Sequence, residues 1–142
     1  MKNFFLDTNV IIDLYQDREP FADSAAFLFE LAEKRKIKLF ISALSYSHIY
    51  YVIKKNKTHK EMIAMLHDLE ATTETLDVTQ KIVSKSIASD FTDFEDALQY
   101  QTAISKKNID AIVTRNGKDY KKSILAVLTP LEALNMIEVG EE

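Results

Sequence analysis

A chain of 142 residues, 46% hydrophobic and 28% charged, is that of one ordinary globular domain spanning residues 1–142. It contains no cysteine, which excludes a disulfide framework and a thiolate metal site, and no apolar run approaches the ~20 residues of a membrane-spanning helix. The net charge of −4 offers nucleic acid no overall attraction, and the apolar run before Asp7 is too short for a secretory signal, so the expectation is a soluble cytoplasmic chain.

In chain order, Asn3–Leu6 reads as a buried strand that runs directly into a helix around Val10–Tyr15. Pro20 suits the first position of a second helix, where its missing N–H costs nothing, and Phe21, Ala25, Leu28 and Ala32 recur at helical spacing. Leu39–Ile41 predicts a short strand, Tyr46, Ile49, Tyr50 and Ile53 the next helix, and Met62, Met65, Leu66 and Leu69 another apolar helical stripe. Glu74–Leu76 is a weaker strand, followed by a helix through Ile82, Val83 and Ile87 that Thr79 caps. Thr92-Asp93-Phe94-Glu95 has the form of a capping box opening a helix to about Lys107, with Asn108 as a left-handed stop. Ala111–Val113 and Leu125–Leu128 complete the strands, and Thr129-Pro130-Leu131-Glu132 is a second capping box for the last helix.

Strands separated by helices imply parallel pairing, because a parallel crossover needs a dozen or more residues. The predicted fold is therefore α/β, an open parallel sheet with helices on both faces. Ligand sites in such sheets collect beyond the carboxyl ends of the strands.

Asp7 ends the first strand, where it serves equally as a helix cap or as a functional carboxylate. Asp93 and Asp96 stand at i, i+3 at the start of the late helix, while Glu95 is assigned to the capping box with Thr92. A core-side carboxylate at Asp96 costs several kcal/mol unless something positive offsets it. Asn116 and Asp119 follow the fourth strand, so Asp7, Asp96, Asn116 and Asp119 are predicted to form a ring of oxygen donors at one sheet edge. Hard oxygen ligands suit Mg²⁺ or Mn²⁺, which activate water and neutralise a phosphodiester. Eight cations and no acid occupy residues 34–60, a segment expected to hold a nucleic-acid backbone, with solvation of helix ends as the plainer reading.

In this order and spacing, FLDTNVIIDL, ISALSYSHIYYVIKK, DFEDALQYQTA, IVTRNGKDY and VLTPLEAL resemble the PIN domain, the nuclease family that includes the VapC-type toxins of bacterial toxin–antitoxin pairs. The resemblance covers essentially the whole chain and implies a three-layer α/β/α fold around a parallel, about five-stranded sheet. It implies a metal-dependent ribonuclease with Asp7, Asp96, Asn116 and Asp119 as catalytic residues, of which Asp7, Asp96 and Asn116 would hold Mg²⁺ or Mn²⁺. Thr8, Asn9, Asp93, His48 and Arg115 would orient the site or the substrate. RNA, a cognate antitoxin and a second copy of the chain are the implied partners. His48 occupies a helix position where most active members have Glu; a lone histidine reads first as an ordinary helix residue, then as a ligand or phosphate contact. The alternative function is an RNA- or protein-binding module of the same fold. Asp7-Thr8-Asn9 also resembles the nucleophile loop of haloacid-dehalogenase-like phosphatases, but Asn9 lacks the proton their second acid supplies.

Overall fold

The computed structural model describes the backbone of residues 1–140 and the side chains of residues 1–137. The elements run β1 (Lys2–Leu6), α1 (Thr8–Tyr15), α2 (Phe21–Glu33), β2 (Ile37–Ser42), α3 (Ala43–Ile53), α4 (His59–Thr72) and β3 (Glu74–Leu76). They continue with α5 (Gln80–Ile87), α6 (Phe94–Ser105), β4 (Ala111–Val113), a 3-10 helix (Gly117–Tyr120), β5 (Ala126–Leu128) and α7 (Pro130–Gly140). All strand pairs are parallel, in the order β3-β2-β1-β4-β5. Among the described residues, no helix is long and apolar enough to cross a membrane.

Side-chain alternation along the strands divides the interior in two. Phe4, Leu6, Leu39, Ile41, Ala111 and Val113 face a core built with α1, α2, α3, α4 and α7. Phe5, Phe40 and Ile112, cross-strand neighbours, face the opposite layer with Tyr100 and Ala103 of α6 and Tyr120 of the 3-10 helix. Both faces are covered, which is why the strands read as unbroken apolar runs in the sequence. Strand β1 lies in the middle, and the chain builds outward from it first to β2 and β3, then to β4 and β5. The carboxyl end of β1 beside β4 is thus the topological switch point, and Asp7 emerges there, its N–H donating to Val113 O at 2.9 Å.

The predicted caps divide into those that form and those that shift. Thr79 caps α5, accepting from Ile82 N at 3.2 Å, and Thr129 and Glu132 form the reciprocal box at the start of α7. Asn108 adopts φ 73°, the left-handed conformation a short polar side chain tolerates. Pro20 is displaced by one residue: α2 starts at Phe21 and Pro20 occupies the capping position. The box at Thr92 does not form. Asp93 is the N-cap of α6, its Oδ1 accepting from Asp96 N at 3.0 Å, because Asp-x-x-Asp one residue along competes successfully for the same helix start. Glu95 is consequently released from the structural duty its spacing assigned it, and α6 ends at Ser105 rather than near Lys107.

Candidate active site

Asp7 occupies the N-cap position of α1, yet its side chain makes no capping hydrogen bond. Its Oδ2 instead accepts from Thr114 Oγ1 at 2.9 Å and Tyr120 OH at 3.0 Å, with Asn9 Nδ2 at 3.4 Å. Capping therefore does not explain this carboxylate. Burial pushes Asp7 above the ordinary carboxylate range, while the Thr114 and Tyr120 hydroxyls pull the other way. Tyr120, itself buried beside Asp7, has its phenol pushed far upward and remains a donor. Tyr120→Phe should cost about 1–2 kcal/mol in urea denaturation, since it leaves a buried carboxylate one donor short. An unchanged midpoint would mean that Thr114 alone satisfies Asp7.

Beneath Asp7, three helices are joined by a small buried polar cluster. Thr8 of α1 and Ser45 of α3 share a 2.7 Å hydroxyl contact, and Gln99 Nε2 of α6 donates to Thr8 Oγ1 at 2.7 Å. Residues three apart on a helix lie on the same face. This junction therefore places His48 one turn beyond Ser45, and Asp96 one turn before Gln99, on the faces turned toward Asp7. Asn9 supports the other side: its Nδ2 donates to Thr114 Oγ1 at 3.2 Å and its Oδ1 accepts from Arg115 N at 3.3 Å.

A cleft of about 390 Å³ opens at this edge, and Asp7, Thr8, Asn9, His48, Asp93, Glu95, Asp96, Arg115, Asn116 and Asp119 all line it. Every residue singled out from the sequence is thus brought together. Asp96 is pushed up to about 7, first by burial and then by the charges of Asp93, Asp7, Asp119 and Glu95. Among the described residues no three carboxylate or histidine side chains already form a complete ligand cluster. Mg²⁺, however, is commonly bound through one or two carboxylates with several waters retained, and the donor set here is all oxygen apart from His48. The residues present fit a hydrated hard cation at Asp7 and Asp96, with the Asn116 carbonyl as a further oxygen donor.

His48 Nδ1 lies 2.8 Å from Glu95 Oε1, and both side chains line the cleft. The eight cations of residues 34–60 do not line the cleft; its cations are Arg18 and Arg115. Lys118, Lys121 and Lys122 border the adjoining recess that shares Asp119. Arg115 itself is turned to Asp13, Nε to Oδ2 at 2.8 Å, with its guanidinium 5.5 Å from the Phe21 ring centre. Sequence reasoning missed Ser45, Gln99 and Asp13. Thr114 and Tyr120 lay inside the quoted TRNGKDY stretch but were given no role.

The fold and site together define a parallel α/β domain with a carboxylate-lined cleft at its switch point. The chain belongs to the PIN domain family, whose model matches residues 3–118. Among solved structures it is similar to VapBC2 from Rickettsia felis bound to a promoter DNA fragment, at 19% identity and TM-score 0.64, covering 89% of this chain and 96% of that one. A toxin–antitoxin complex from Klebsiella pneumoniae matches at 24% identity and TM-score 0.65, with the same coverages of 89% and 96%. Mycobacterium tuberculosis VapC20, a sarcin-ricin loop cleaving toxin, matches at 16% identity and TM-score 0.57, covering 77% of this chain and 86% of that one. No curated protein matches the chain.

Proposed function

We propose that this PIN domain is a divalent-metal-dependent ribonuclease and the toxin of a type II toxin–antitoxin pair. The observation that carries the reading is the convergence of Asp7, Asp96, Asn116 and Asp119 on one cleft, with Asp96 raised by burial and then by its carboxylate neighbours. Asp7, Asp96 and Asn116 would hold Mg²⁺ or Mn²⁺. Such an ion, when bound, supplies water activation and neutralisation of phosphodiester charge. Thr114 and Tyr120 fix the Asp7 carboxylate through Oδ2, and Asn9 braces Thr114. Asp119, exposed at the rim of the same cleft, would accept a proton from attacking water. Arg18 lines the cleft together with Arg115, whose Nε is committed to Asp13. Arg18 would hold backbone charge without reading bases.

The similarity to toxins solved with antitoxins supports a protein partner for this chain as well, and a second copy of the chain is expected in that assembly. An RNA substrate is supported by the family and by the likeness to VapC20. The second reading, an RNA-binding module that does not cut, is favoured by His48, which stands where a metal-binding carboxylate is expected and is engaged by Glu95. RNA incubated with Mg²⁺ or Mn²⁺ should be cleaved by the native chain, with a loss of more than ~100-fold in Asp7→Asn, since even outer-shell partners of metal ligands cost 10–100-fold. Equal cutting by Asp7→Asn would defeat the catalytic assignment. RNA bound by the native chain but left intact with both metals would establish the binding module.

A further inference from the structure

His48 of α3 and Glu95 of α6 meet at 2.8 Å on the cleft wall, beside the Thr8–Ser45–Gln99 junction. Neither side chain is used by a cap or by the core. A second cavity of about 280 Å³, walled by Leu44, Ser45, Ser47 and Leu98, shares Thr8, His48 and Glu95 with the acidic cleft. The pair is therefore the partition between a carboxylate cleft and a pocket of apolar and hydroxyl groups that suits a nucleoside.

We propose, resting on the ribonuclease reading, that His48 is a catalytic residue that protonates the leaving oxygen, held in place by Glu95 as a positioning residue. With Glu95 accepting Nδ1–H, Nε2 is the ring nitrogen left to carry the proton that the step uses. An RNA strand with its scissile phosphate beside Asp7 and Asp96 and the adjoining nucleoside in the pocket carries its bridging oxygen past that nitrogen. In the step, a water oxygen bonds to phosphorus and gives up its proton to Asp119, which passes it to solvent. The bond from phosphorus to the bridging oxygen breaks, and that oxygen's electron pair takes the Nε2 proton to become a hydroxyl. Solvent returns a proton to the imidazole. One water is consumed and nothing is oxidised or reduced.

The two side chains are 41% and 59% exposed, so what distinguishes the pair is its place: both partners wall the same cleft as Asp7, on helices joined below. Ser45 and Gln99, one helical turn from His48 and Asp96, are themselves buried and linked through Thr8. General acid catalysis contributes about 10²–10⁴-fold, so the effect is measurable.

The test compares an RNA oligonucleotide with the same oligonucleotide carrying sulfur in place of the leaving bridging oxygen, because a thiolate departs without a proton. His48→Ala and His48→Gln should lower kcat on the oxygen substrate by about 100-fold or more with KM unchanged. Their loss on the sulfur substrate should be at least ~10-fold smaller, the difference being the share of that catalysis due to leaving-group protonation. Glu95→Gln should show the same asymmetry at smaller size. Equal losses on both substrates, a change confined to KM, or no loss at all would each overturn the assignment. If the native chain cleaves neither substrate with Mg²⁺ or Mn²⁺, the ribonuclease reading fails first, a result distinct from any confined to the variants.

Discussion

Asp96→Asn is expected to raise the melting temperature of the metal-free protein while abolishing RNA cleavage. Asp96 is pushed up to about 7 by burial and by Asp93, Asp7, Asp119 and Glu95, against an ordinary value of 3.8. Between those values the folded chain holds a proton that the unfolded chain has lost, so stability falls as pH rises through this window and levels off above about 7. Asparagine keeps the shape and carries no charge, which removes this pH dependence. The α6 cap survives, because Asp93 accepts from the backbone N–H of residue 96. Thermal melts in EDTA from pH 5 to 8 should show the variant gaining on the native chain toward the alkaline end. Added Mg²⁺ should stabilise the native chain, since anything that binds only the folded state does so, and should stabilise the variant much less. A variant less stable than native at pH 8 in EDTA, or one equally stabilised by Mg²⁺, would contradict the view that Asp96 is held in reserve for a cation.

Arg115→Ala is expected to destabilise the domain by about 3–5 kcal/mol, the usual cost of removing one partner from a buried ion pair. Asp13 is only 1% exposed, its Oδ1 has no protein partner, and its Oδ2 depends on Arg115 Nε at 2.8 Å. Truncation also removes the guanidinium from Phe21, whose ring centre lies 5.5 Å away. Replacing both partners, as Asp13→Leu with Arg115→Met, should recover most of the loss, because apolar pairs of similar volume substitute well for buried ions. Urea denaturation of the two single variants and the double variant measures this coupling. A single-variant loss below about 1 kcal/mol, the range of exposed ion pairs, would place Arg115 with ordinary surface contacts. The position matters for function too, since Arg115 N–H bonds Asn9 and the same loop delivers Asn116 to the cleft.

The central strands β1, β2 and β4 were legible because both faces of the sheet are covered there, so each contains a short apolar run. Strand β3, Glu74–Leu76, is mostly exposed and gave a weaker signal. Asp7, Asn116 and Asp119 were legible as a group once the strands were placed, because the carboxyl edge of a parallel sheet gathers whatever follows each strand. Asp96, in the first turn of α6, follows no strand and was legible only from its place at a helix start. Which residue caps α6 was not legible. Thr92-x-x-Glu95 and Asp93-x-x-Asp96 are overlapping cap patterns, and only the packed helix decides between them. That one-residue choice moves Glu95 from a structural role to the cleft wall, where it meets His48. The Thr8–Ser45–Gln99 junction was illegible for a different reason: its members lie far apart in the chain, and Ser45 and Gln99, unlike Thr8, are ordinary polar residues in helices. The Lys-rich segment does not line the cleft, and charge density along a chain carries no information about which sheet edge the loops reach.

Crystals soaked in Mn²⁺ and measured near the manganese absorption edge test the central claim most directly. The account predicts an anomalous peak in the cleft, about 2.0–2.2 Å from carboxylate oxygens of both Asp7 and Asp96, with water completing the shell. It predicts that the same soak of Asp7→Asn crystals gives no such peak. A native cleft without manganese, or manganese bound only at carboxylates elsewhere on the surface, would contradict it.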